Sequence, residues 1–144
     1  MVGLSREEQA WLIQDPILQG DVSGAVEKLQ VLYDVSRAPS VLLMWACLDL
    51  ARKVSEAAVR LEQGESPGAL AKALKLWGPS AQAVPQAARR LGARNATALF
   101  EELLDLDRRA KTGRMPGFSD SPAARETTRR SLECITVQMA DRLG

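Results

Sequence analysis

The chain contains no histidine. That removes the commonest general base, the Ser-His and Cys-His nucleophile pairs, and every imidazole metal ligand. Cysteine is scarce too, with only Cys47 and Cys134. Two thiols cannot build a tetrahedral zinc site unaided. Each lies in an apolar segment and reads as a buried free thiol of a cytoplasmic protein. Aromatics make up 4% of a chain that is 46% hydrophobic, so Leu, Ala and Val must fill the core. That composition favours packed helices over a sheet of β-branched and aromatic side chains. A net charge of +1 argues against a strongly basic nucleic-acid wrapper or a strongly acidic protein. The longest apolar run, Val41–Leu48, stops at Asp49, far short of the roughly 20 residues of a membrane span. Arg6, Glu7 and Glu8 come too early for a signal peptide.

What is present is helical periodicity. Leu4–Leu18 opens on Ser5 and Glu8, a capping-box pattern, and Pro16 should kink or end it near Asp15. Ser23–Tyr33 is a second helix. Pro39 starts a third and longest one, running to about Gln63 and stopped by Gly64. Val41–Leu48 is apolar all round, which predicts the buried centre of the domain, with Trp45 in the core. Ser66-Pro67 caps a helix over Gly68–Trp77, with Leu70, Leu74 and Trp77 on one face. Pro85 opens a short helix that Gly92 stops. Asn95–Gly113 is amphipathic, with Asn95 as N-cap, Gly113 as stop, and Ala96, Leu99, Phe100, Leu103, Leu106 and Ala110 on its apolar face. Its acids precede its bases, as the helix dipole prefers, and Asp105→Arg109 and Asp107→Lys111 are favourable pairs. Arg114–Ser121 is the one long loop, and Ser121-Pro122 repeats the cap signal before a last helix to Leu143. The expectation is a single all-α domain over 1–144, a compact bundle of about six to seven largely antiparallel helices. Residues 1–20 would be the lead-in from a preceding domain.

Nothing in the sequence reads as a catalytic or cofactor site. No phosphate loop of the G-x-x-x-x-G-K-[ST] or G-x-G-x-x-G kind is present. The carboxylate pairs Glu101/Glu102 and Asp105/Asp107 read as a solvated helical face. Neither metal nor cofactor is expected. The basic groups are Arg89-Arg90-Arg94, Arg108-Arg109-Lys111-Arg114 and Arg125-Arg129-Arg130. The last two flank the loop and could converge on phosphates or remain a solvated face. Phe118 in that loop is either a lid on the core or an exposed contact. Trp11 and Trp77 lie near helix ends, where they could mark an interface.

Taken end to end, these residues resemble the C-terminal domain of the delta subunit of bacterial DNA polymerase III, a clamp-loader component. The resemblance runs from Leu18-Gln19-Gly20-Asp21 with Ala25 and Leu29, through Pro39, Leu42-Leu43 and Ala51-Arg52. It continues over Leu76-Trp77 and Ala87-Ala88-Arg89-Arg90-Leu91. It is clearest at Leu103-Leu104, Asp107 and Lys111-x-Gly113, and closes on Leu132-Glu133, Ile135 and Met139. The resemblance implies a non-catalytic helical collar domain that assembles the loader of the sliding clamp at primed DNA. As part of that holoenzyme it would be grouped with DNA-directed DNA polymerase. Its partners would be the motor gamma/tau subunits and delta-prime, with primer–template DNA as a further contact and no membrane. Clamp contact would belong to an N-terminal domain, so the chain would be a C-terminal fragment. Contact residues under this reading are Trp77, Arg89 and Arg90 toward other subunits, and Arg108, Arg109, Lys111, Arg114 and Phe118 toward DNA or a partner. The competing expectations are a free-standing helical adaptor and a small primer–template DNA-binding domain.

Overall fold

The computed structural model describes residues 5–144, so Leu4 at the start of the expected first helix lies outside the described residues. Ser5 and Glu8 form the reciprocal capping box, with Glu8 N–H on Ser5 Oγ at 3.2 Å and Ser5 N–H on Glu8 Oε2 at 2.8 Å. They start α1 (Arg6–Trp11). Pro16 lacks the N–H that would reach the carbonyl of Leu12, so the break falls at Leu12–Ile13, one turn earlier than expected. A short α2 (Gln14–Leu18) follows, and α3 (Val22–Gln30) starts one residue before the expected Ser23, capped by Asp21. A single π-type turn, Val31–Val35, carries Leu32 and Tyr33 into the core.

The central pair is α4 (Ser40–Glu62) and α6 (Ser80–Lys111), with α5 (Pro67–Ala73) closing one end. The pair runs antiparallel: Ser55 meets Thr97 and Glu62 meets the N–H of Ala93. On α4, Leu43, Met44, Leu50 and Val54 are fully buried, each worth roughly 1.5–3 kcal/mol on transfer from water. The helix ends at Gly64 as expected, with Glu65 N–H on Arg60 O and Gly64 N–H on Leu61 O, the paired bonds of a Schellman stop. Its start is different. Pro39 carries no capping side chain, and the N–H of Ser40 is taken by Asp120 Oδ2 at 3.1 Å, from a loop far along the chain.

Further elements depart from the expected boundaries. α5 ends early because Lys75 adopts φ +56°, which turns Trp77 off the apolar face of Leu70 and Leu74 and leaves it 84% exposed. α6 begins at Ser80, not Pro85, so the proline lies inside its second turn, where the Ala81 carbonyl has no intrahelical donor. Gly92 (φ 77°, ψ 160°) kinks α6 into two limbs. The second limb starts two residues before Asn95, capped by Glu62 from α4, while Asn95 donates back to Leu91 O. Gly113 stops it as expected, with Arg114 N–H on Arg109 O. The Ser121-Pro122 signal does not start the last helix: α7 (Arg125–Leu143) follows a further turn. No strand occurs among the described residues, and the fold is an all-helical bundle. Cys47 is buried as expected, its thiol pushed up to about 12 by that burial, but Cys134 faces solvent. It sits on the outer side of α7, away from Leu132 and Ile135, which are buried.

Candidate protein-interaction surface

A helix that is apolar all round needs neighbours on every side. The first half of α4 lacks one. Leu43, Met44, Ala46 and Cys47 are buried, whereas Val41 is 41% and Trp45 46% exposed. Trp45 is therefore not in the core, contrary to expectation: α1, α6 and α7 cover the other sides of α4 and leave this one open. Val41, Trp45, Leu48 and Arg52 follow one another at helical spacing along the open face. Phe100, Leu104 and Lys111 do the same on the second limb of α6. Trp11 reaches over from α1, whose neighbour Gln14 ties α2 to α4 through Ala46 O (2.8 Å) and Asp49 (3.1 Å).

The result is a solvent-open groove of about 290 Å³ lined by Trp11, Trp45, Leu48, Phe100 and Leu104, with Asp49 and Arg52 at its edge. In a chain with two phenylalanines, three tryptophans and one tyrosine, half of the aromatic side chains stand here rather than in the core. Beyond Trp45 a second cleft of about 180 Å³ continues between Val41, Met44, Ala110 and Phe118. Lys111 separates the two clefts, its Nζ 5.4 Å from the Trp45 ring centre and 2.9 Å from Asp107. Asp107 is 5% exposed, so the expected solvated face holds for Asp105, Glu101 and Glu102 but fails for Asp107. Its position one turn past Leu103 turns it toward α4. At the other edge, burial alone would raise the pKa of Asp49, but bonds from Lys53, Gln14 and Arg52 outweigh it and hold the carboxyl below the usual range.

The residues marked from sequence scatter over the molecule. Lys111 belongs to the groove, and Phe118 is half-buried over Met44 and Ala110, the lid reading of that residue. Arg108 and Arg114 are exposed and make no ion pair or side-chain hydrogen bond among the described residues. Arg109 lies 3.9 Å from Asp105. Arg89 is exposed on the first limb of α6, beside a cleft that also holds Glu62 and Glu65. Arg90 is an internal tie: its Nη2 donates to Leu143 O at 2.6 Å. Arg89 and Arg90 therefore do different jobs. Of the third basic group, Arg125 stacks 4.2 Å from the Tyr33 ring centre and donates to Tyr33 O, and Arg129 pairs with Asp34 at 3.1 Å. These two serve packing and are not free for phosphates.

Sequence reasoning missed Trp45, Phe100 and Leu104 as surface residues. The signal was Val41–Leu48 itself, whose unbroken apolar circumference exceeds what a small bundle can cover. Among the described residues no cluster of His, Cys, Asp or Glu is placed to hold a metal, and no helix is long and apolar enough to cross a membrane. No protein-family model, curated protein or solved structure matches the chain significantly.

Proposed function

We propose that this chain is an assembly domain without catalytic chemistry of its own, the collar of a clamp-loader delta subunit. One observation carries the reading. The motif that resembles the delta family most clearly, Leu103-Leu104, Asp107 and Lys111-x-Gly113, builds one wall of the open aromatic groove: Leu104 lines it, and Asp107 holds Lys111 over Trp45. In this reading neighbouring collars bury that wall, and the ring they form sets motor subunits around primed DNA. Mixed with the motor gamma/tau and delta-prime subunits of the same organism's clamp loader, the domain is expected to co-elute in a complex of defined mass. Trp45→Glu should weaken that complex without changing the circular dichroism of the free domain. A folded monomer that never co-elutes sinks the collar reading and leaves a free-standing adaptor.

A second reading, contact with primer–template DNA, is favoured at a different place. Trp77 stands 84% exposed on a corner held by φ +56° at Lys75, φ +65° at Gly78 and the Ser80 Oγ bond to Trp77 O at 2.8 Å. From Ser66 to Phe100 the chain has no carboxylate, while Lys72 and Lys75, five and two residues before Trp77, are exposed and have no ionic partner among the described residues. A fixed aromatic beside unpaired cations suits base stacking with phosphate contact. The expected result is weak binding of primer–template DNA that falls with added salt and falls again in Trp77→Ala. Affinity indifferent to both removes this reading.

A further inference from the structure

We infer that the groove between α4 and the second limb of α6 takes an amphipathic helix of a partner protein, with carboxylates at the end lying over Lys111. The inference rests on the assembly reading of this face and specifies the chemistry of what covers it. The open stripe from Val41 to Arg52 spans about three helical turns. Its walls are themselves helices, so a further helix can seat apolar residues at i, i+4 and i+7 between Trp11, Trp45 and Phe100.

Charge decides the character of that helix. At the Lys111 end stand Arg108, Arg109, Lys111 and Arg114, against Asp105, Asp107 and Asp120, the last already accepting from Tyr33 Oη and Ser40 N–H. Asp107 is buried and already engaged by Lys111, and Asp105 sits 3.9 Å from Arg109. Arg108 lies one turn past Leu104 on the same stripe, and it and Arg114 have no ionic partner among the described residues. At the opposite end the balance differs: Arg52 spans Asp49 and Glu56, each at 3.0 Å, and Glu101 is exposed. The groove is thus apolar along its length and positive at one end. Cations at a groove rim attract and orient a carboxylate-bearing partner and repel a basic one.

The test uses the full chain and two fluorescein-labelled helical peptides of about five turns. Both carry Leu at i, i+4, i+7 and i+11; one has Glu and the other Lys at the remaining positions of one end. Fluorescence anisotropy should show the Glu peptide binding at least about tenfold more tightly, a difference of about 1.4 kcal/mol. Trp45→Glu should abolish binding of both. Arg108→Glu, at an exposed position that cannot disturb the core, should cancel the preference. Equal affinities, binding of neither peptide, or indifference to Arg108→Glu overturns the inference. Self-association of the chain that Trp45→Glu converts to monomer overturns it too, by making a second copy the occupant. Because no clamp-loader subunit is present, failure of the collar reading shows only in the co-elution experiment.

Discussion

Thr128→Val is expected to lower the melting temperature by several degrees, although the replacement is nearly isosteric. Thr128 is fully buried on α7. Its hydroxyl donates to Ser119 O at 2.7 Å and accepts from Ser119 N–H at 2.9 Å. Those bonds set the loop after Gly113, and the loop does more than connect. Its next residue, Asp120, accepts from Tyr33 Oη at 3.0 Å and from Ser40 N–H at 3.1 Å, so it is the cap that α4 lacks locally. Valine removes the hydroxyl and both of its bonds to the Ser119 backbone, a loss of about 1–3 kcal/mol. For a domain of this size that is roughly 4–10 °C, readable by circular dichroism. Asp120→Ala acts on the same latch, so in a double-mutant cycle the two losses should fall short of adding. Tyr33 gives a second measure. Burial, followed by the bond it donates to Asp120, raises its pKa from 10.0 to about 12. The fold therefore selects the protonated phenol, and this contribution is intact below pH 10.0 and lost as pH rises toward 12. It is the only tyrosine, so absorbance reports its ionisation directly. A Thr128→Val chain with unchanged melting temperature and unchanged phenol titration would refute the latch.

The second large effect is expected at Gly92. Its φ of 77° with ψ of 160° is a conformation that essentially only glycine adopts. A Cβ there would meet nothing within 4 Å, so the cost of Gly92→Ala is backbone strain alone, about 1–3 kcal/mol. The alternative for the mutant is to straighten α6 and keep one continuous helix. That would swing the second limb away from α4, break the bond from Ala93 N–H to Glu62 at 3.2 Å, and carry Phe100 and Leu104 off the groove. Either route destabilises the domain, and urea unfolding measures it as a lower midpoint. Straightening would also open the groove wall beside Trp45 and red-shift the tryptophan emission, because Lys111 leaves its ring and Phe100 leaves the groove. Wild-type stability in Gly92→Ala would mean that the kink is not a requirement of the fold.

Helical class, the long central helix with its Gly64 stop, the Ser5–Glu8 capping box and the Ser66 cap were all legible in the residues themselves. So was the end of α6 at Gly113. Each rests on interactions within a few residues of chain, which spacing and residue type are enough to specify. The caps of α4 and of the second limb of α6 were not legible, because Asp120 and Glu62 arrive from other elements and leave no local pattern. The same holds for the site. Periodicity shows that a face is apolar, and it cannot show whether another helix of the same chain will cover it. Arg90 and Arg89 are adjacent in sequence, yet one bonds the end of α7 and the other meets solvent. Trp45 and Trp77, placed inside and on a shared face by their spacing, are both exposed: one lies where α4 has no neighbour, the other past a residue with positive φ. Local sequence determined which segments are helices and which stripes are greasy. Only tertiary packing decided which stripe stayed open, because burial depends on how many neighbours the fold can bring to a helix, and this bundle leaves one side of α4 without one.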